Sequence, residues 1–118
     1  MLIVRNEQIE TFSAHLFESF TRDTLFRLRK KFPVSTKTMT DKTLTAQIED
    51  GIIRAENYKI HEKEDIKIFI EYMIYLGKDF DSNPDLKWAS KILRIRNISG
   101  SEKISRLQDE NPLIQEFE

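Results

Sequence analysis

Asp79, Asp81, Asn83 and Asp85 alternate along the chain, the spacing with which an oxygen-donor calcium loop begins. Such a loop needs glycine at its sixth position, for a sharp turn, and a bidentate glutamate at its twelfth. Pro84 and Ser90 stand there instead, so the run reads as a polar turn that caps helices. His15 and His61 are the only two histidines, and neither has the i, i+4 partner of a helical zinc motif. The chain has no cysteine, which excludes disulfides and thiolate metal sites. It carries no nucleophile elbow of the GxSxG type and no phosphate-cradling glycine loop. Neighbouring carboxylates such as Glu62 and Glu64 are explained by attraction to the positive end of a helix. Acid–base chemistry would need carboxylates converging in a cleft, which spacing alone does not supply. The expectation is a protein without catalytic group, cofactor or metal, and hence not an enzyme.

The elements that would position these groups are helical. From Glu62 to Leu76, Ile66, Phe69, Ile70 and Met73 form one stripe at i, i+3, i+4, i+7, and Ile68, Tyr72 and Tyr75 form a second. A helix apolar most of the way round belongs inside a bundle, with Gly77 as its stop. Its polar strip is Glu64, Lys67, Glu71 and Lys78. A first helix should run from near Asn6 to before Pro33, since the residue ahead of proline disfavours the helical region. Pro33 to Thr38 reads as a polar connector. Thr40 or Asp41 opens the next helix, with Leu44, Ile48, Ile52 and Ala55 as its stripe. Gly51 lies inside it. Interior glycine costs about 1 kcal/mol against alanine, so it implies that another backbone approaches closely. Asn83 is a good N-cap, Pro84 suits the first helical position, and Leu86, Trp88, Ala89, Ile92 and Leu93 follow as an apolar set that places Trp88 in the core. Ser99 and Glu102 make a capping box for a short helix carrying Ile104 and Leu107. The tail 111–118 reads as loose, although Leu113, Ile114 and Phe117 have the character to dock. No stretch sustains the alternation of a strand. The fold class is all-α: one compact domain over residues 1–118, a bundle of four to five helices.

With 118 residues, 39% hydrophobic and 33% charged, the composition is that of an ordinary soluble domain. No apolar run nears the roughly 18 residues of a membrane span, and the N-terminus turns acidic too soon for a signal peptide. The expectation is a cytoplasmic protein. The net charge is −1 but unevenly spread: residues 1–42 hold eight Lys/Arg against five Asp/Glu, 43–86 hold five against ten, and 87–118 hold six against five. Arg22, Arg27, Arg29, Lys30 and Lys31 concentrate positive charge at the end of the first helix. A solvated face with dipole compensation explains them more simply than a phosphate-binding patch.

A longer pattern runs through Gly51-Ile52, Arg54-Ala55, Tyr58, Ile60, Glu62, Asp65, Leu76-Gly77, Phe80-Asp81, Asn83-Pro84, Trp88-Ala89 and Ile92-Leu93. Over residues 2–93 the chain resembles a group of short bacterial proteins often encoded beside type VI secretion effectors and their chaperones. It departs from that pattern at Lys59, where the turn would suit glycine, and at Lys87, where proline would precede the tryptophan. A left-handed turn at Lys59 would be strained. The resemblance implies a non-catalytic adaptor or co-chaperone that handles a secreted toxin or its loading partner. An immunity protein is the alternative; it would cover a toxin's basic cleft with an acidic surface drawn from Glu49, Asp50, Glu56, Glu62 and Asp65. A nucleic-acid-binding module using the basic end of the first helix is the weaker third reading.

The partner surface is expected on that first helix. Ile9, Phe12, Leu16 and Phe20 share one face at core-stripe spacing. Phe17, Leu25, Leu28 and Phe32 lie on another, displaced by roughly 100° or more at 3.6 residues per turn. Unless the helix bends near Thr21–Asp23, one stripe stays exposed, and an exposed apolar stripe marks an interaction surface. Phe17, Leu25, Leu28 and Phe32 are therefore the expected partner-binding residues, facing a protein partner or a second copy of the chain rather than a membrane or a small-molecule substrate.

Overall fold

The computed structural model describes residues 14–117, with side chains from residue 16 onward. The expected helix start near Asn6, and Ile9 and Phe12, lie outside the described residues, as does the His15 side chain. Within them the chain is all-helical: α1 (Ala14–Lys31), α2 (Pro33–Thr36), α3 (Asp41–Asn57), α4 (Lys63–Tyr75), a 3-10 turn (Pro84–Leu86), α5 (Lys87–Leu93) and α6 (Gly100–Glu110).

Helix α4 is the centre of the bundle. It packs against α1, α2, α3 and α6, with its most extensive contact on α3. Ile66, Phe69, Ile70, Tyr72 and Met73 are all buried, as the two stripes require. Phe69 and Phe80 stack tilted with centroids 5.2 Å apart, and Tyr58 and Tyr72 extend the aromatic cluster on either side. Glu62 and Leu76 cap the helix, and Gly77 follows at φ 112°, a left-handed turn that glycine makes without a Cβ clash.

The start signals hold at three places. Thr40, Asn83 and Ser99 each accept a hydrogen bond from a backbone N–H two or three residues on. The connector after Pro33 differs from expectation, because it closes a short helix. Thr36 Oγ1 donates to the Phe32 carbonyl at 2.7 Å, and the Glu116 carboxylate accepts from the Val34 and Ser35 amides at 2.9 and 2.8 Å. That carboxylate belongs to the tail, which is docked up to Glu116. Glu116 N–H donates to the Lys31 carbonyl, Tyr72 Oη donates to the Asn111 carbonyl, and Leu113 packs on the core. Ile114 and Phe117 remain exposed, Phe117 at 82%. The hydrogen bonds from Ser35 hold the Glu116 carboxyl below the usual range.

Trp88 is half-buried and not enclosed. It packs against the core cluster but keeps one face in the groove between α5 and α6, beside Ile92 and Arg106. Glycine also behaves differently from expectation. At Gly51 the close neighbours are side chains of α4, Ile70 Cγ1 and Met73 Sδ; the tight backbone approach is at Gly100, whose missing Cβ makes room for the Lys59–Ile60 backbone.

Candidate functional site

Helix α1 buries Phe20, Thr21, Thr24 and Leu28, with Phe32 just beyond its end. Its buried arc is thus centred on the second stripe, and the partner expectation is corrected for two of its four residues. Leu28 and Phe32 are fully enclosed core and present nothing to a partner. Phe17 and Leu25 sit at the margin of the same arc, half-buried, where α1 meets α3. The reason is geometric: α1 packs on both α3 and α4, and only the arc through Thr24 and Leu28 faces both. From the first stripe Leu16 points outward at 40% exposure, while Phe20 is covered by Lys67, whose Nζ lies 5.4 Å from its ring centroid. Phe26, on the opposite face, is 71% exposed.

Phe17 and Leu25 line an open groove between α1 and α3. Thr21 and Thr45 complete its wall, and Glu18, Arg22 and Glu49 stand around it. Burial raises the Glu49 carboxyl pKa, a sign that the α3 side of this groove is partly desolvated. Of the four residues expected at a partner surface, Phe17 and Leu25 are the two that keep exposed apolar area, and they keep it in this groove.

Most of the charged groups that the sequence offered for other functions are engaged within the chain. Glu71 of α4, expected on a polar strip, is buried at 1% exposure. Arg27 Nε donates to it at 2.8 Å and Lys31 Nζ lies 3.1 Å away, while Arg27 also donates twice to Glu64. The Glu64 bonds, with Glu71 behind them, raise the Arg27 pKa and lower that of Glu64. Arg29 donates to Asp41 and to the carbonyls of Thr36 and Met39. So Arg27, Arg29 and Lys31 staple α1 to its neighbours, and of the five basic residues expected as a patch only Arg22 and Lys30 are exposed. Three of the five acidic residues are similarly committed: Asp50 pairs with Arg54, Glu56 with His61, and Asp65 accepts from Ser101 Oγ.

The alternating acids after Gly77 serve a structural clamp. Arg54 donates to the Lys78 carbonyl at 2.5 Å, to Asp79 at 3.0 Å and to Asp81 at 2.9 Å; Tyr58 Oη donates to Asp81 Oδ2 at 2.7 Å. Burial works against the Arg54 charge, but Asp50, Asp81 and Asp79 outweigh it and raise its pKa. Burial, then the Asp81 bond, pushes the Tyr58 hydroxyl up to about 12. Asn83 and Asp85 form the cap of the 3-10 turn. Among the described residues no three His, Asp or Glu gather as metal ligands would, and no helix is long and apolar enough to cross a membrane.

A cluster of cations gathers from segments that no motif in the sequence connects. Lys59, Arg94, Arg96 and Lys103 border a cleft formed by the turn after α3, the loop after α5 and the side of α6. The Arg-x-Arg spacing at 94–96 was its only trace, and the overall balance of residues 87–118 concealed it.

In sequence the chain matches no family model and no curated protein, and its fold matches no solved structure. The residues that carry the type VI resemblance are mostly scaffold. Gly51 seats Ile70 and Met73, Arg54 and Tyr58 hold Asp81, and Ile60, Phe80, Ala89 and Leu93 are core. The α1–α3 groove lies outside that pattern.

Proposed function

We propose that this chain is a non-catalytic protein-binding adaptor or co-chaperone that engages a bacterial type VI secretion effector or the chaperone that loads it. The observation that carries the binding role is the open groove in which Phe17 and Leu25 keep apolar surface beside α3. The type VI context comes from the resemblance alone. Phe17 and Leu25 are eight positions apart on α1, about 12 Å at 1.5 Å per residue. That span matches two turns of a partner helix presenting apolar residues at i, i+4 and i+7. Glu18 and Glu49 against Arg22 give the rim a slight negative excess, which suits a partner helix flanked by Lys or Arg.

The test is recovery of partners by the tagged chain from a bacterium that encodes it, with mass spectrometry of what is bound. Thr45→Arg fills the groove from a half-buried helix position without touching the core. The parent should recover an effector or its chaperone, and the Thr45→Arg variant should lose it while keeping its helical circular dichroism. Recovery of neither protein by the parent, or equal recovery by the variant, rejects the reading.

A further inference from the structure

We propose that the cleft between the turn after α3 and the loop after α5 is a second binding surface, and that its occupant is an acidic peptide segment carrying aliphatic side chains. Four cations, Lys59, Arg94, Arg96 and Lys103, border this cleft, and no carboxylate lines it. Arg27, Arg29, Lys31 and Arg54, by contrast, are each matched to an acid. Like charges gathered in a concave wall focus a positive potential, and an incoming carboxylate relieves their mutual repulsion. Lys103 shows how firmly the site is set. Its side chain is buried, its Nζ donates to the Tyr58 carbonyl at 2.7 Å, and burial together with the nearby Lys59 charge lowers its pKa.

Lys59 supplies the second argument. It is the one non-glycine with positive φ among the described residues, at 67°. The left-handed region is costly for a residue with a Cβ and free for glycine. Strain of this kind persists where the side chain is used and the surroundings hold the backbone in place. Here Gly100 packs directly on the Lys59 carbonyl, and the Lys59 N–H donates to the Glu56 carbonyl at 2.9 Å. The turn could be made by glycine; lysine adds a cation to the cleft.

The walls decide between anionic partners. Ile95 and Ile98 are half-buried in the cleft beside Leu93, so aliphatic contacts alternate with charge. A single-stranded nucleic acid would need an aromatic face on which bases stack. Tyr58 is the aromatic lining the cleft, and its ring packs on Phe69 while its hydroxyl is bound to Asp81. Carboxylates with interspersed leucine fit this lining; a polyphosphate backbone with bases does not. The inference is independent of the α1–α3 groove, which shares no lining residue with this cleft.

The experiment is fluorescence anisotropy on the full chain with a short labelled peptide of repeating Asp-Asp-Leu at low salt. The peptide should bind saturably, weaken as salt screens the cleft, and lose binding when Asn replaces every Asp. Arg94→Gln with Arg96→Gln should weaken it about tenfold, the upper range for two exposed charge pairs. Lys59→Gly should weaken binding and at the same time raise the melting temperature, so that lost affinity is separated from lost fold. Lys30→Gln on α1 with Lys37→Gln just after α2, both exposed and outside the cleft, should leave binding unchanged. Equal binding of the Asn peptide, parent-like binding by either cleft variant, or an equal loss in the Lys30 and Lys37 variant overturns the proposal. Tighter binding of oligothymidine than of the peptide overturns it in favour of a nucleic acid.

Discussion

Gly100 sits against the backbone of Ile60: a Cβ on Gly100 would lie 2.6 Å from the Ile60 Cα, and nearer still to the Lys59 carbonyl oxygen. Both neighbours are main chain, so neither can swing aside, and α6 would have to shift as a unit. Gly100→Ala should therefore destabilise the fold by about 2–3 kcal/mol, at the upper end for overpacking. The usual gain in helix propensity on replacing glycine near a helix start would be overwhelmed. Urea denaturation of the single variant measures it, and a midpoint equal to or above the parent's contradicts the packing.

Gly51 makes a graded contrast. A Cβ there would meet Ile70 Cγ1 at 2.7 Å and Met73 Sδ at 2.8 Å. The thioether can turn away; the isoleucine is enclosed. Gly51→Ala should cost less than Gly100→Ala despite the shorter list of escape routes for Ile70, whereas Gly51→Leu should cost at least about 2 kcal/mol by forcing α3 from α4. Parallel urea titrations of the three variants give the order directly.

Local signals in the chain were readable because their causes are local. Thr40, Asn83 and Ser99 cap their own helices, and the stripes of α3 and α4 point where their periodicity sends them. The left-handed turn at Lys59 entered only through the resemblance, as a departure from a pattern that would suit glycine there. What the sequence could not reveal is which of two stripes on α1 faces the bundle, since a helical wheel has no knowledge of the helices beside it. Leu28 and Phe32 went to the core for that reason. Long-range pairs were equally hidden: Glu116 caps α2 from across the sequence, and Arg27 reaches Glu64 and Glu71 on α4. The cationic cleft joins Lys59, from an acidic stretch, to Arg94 and Arg96, from a nearly neutral one.

Glu71 is a buried carboxylate whose charge is met by Arg27 and Lys31. Removing one partner of such a group leaves charge uncompensated and costs more than removing both. Arg27→Met should lose about 2–4 kcal/mol, and Arg27→Met with Glu71→Met should recover much of it. Lys31→Met should cost less, because Lys31 is more exposed and Arg27 remains. A double-mutant cycle by chemical denaturation checks the order; an additive pair would show that Glu71 is not held this way.

Alkaline pH should loosen the fold through two tyrosines. Burial, with the Asp81 bond, pushes Tyr58 up to about 12, and burial does the same for Tyr72. Below the ordinary value near 10 both are neutral in either state. As pH rises from there, the unfolded chain releases these protons first and binds fewer than the native one, so stability falls until the folded groups ionise too. Denaturation midpoints from about pH 9 to about pH 11 should fall in the parent and fall less in Tyr58→Phe. An identical slope in both would remove Tyr58 from this linkage.

The last expectation concerns three threonines buried along α1 and α2. Thr21 Oγ1 donates to the Phe17 carbonyl at 2.8 Å and Thr36 Oγ1 to the Phe32 carbonyl at 2.7 Å. Thr24, fully buried between them in the core-facing arc, has no partner for its hydroxyl among the described residues. Burying an unpaired hydroxyl costs about 1–3 kcal/mol by the measure of protein variants. Valine has nearly the same shape and the same branched Cβ, so helix entropy is little changed. Thr24→Val should therefore stabilise the protein, by about 1 kcal/mol, although it alters a core position. The same change at Thr36 should destabilise, because it deletes a bond and leaves the Phe32 carbonyl with one fewer donor. Thermal melts of the two variants side by side decide the matter. If Thr24→Val melts lower than the parent, its hydroxyl has a partner that the packing of α1 conceals.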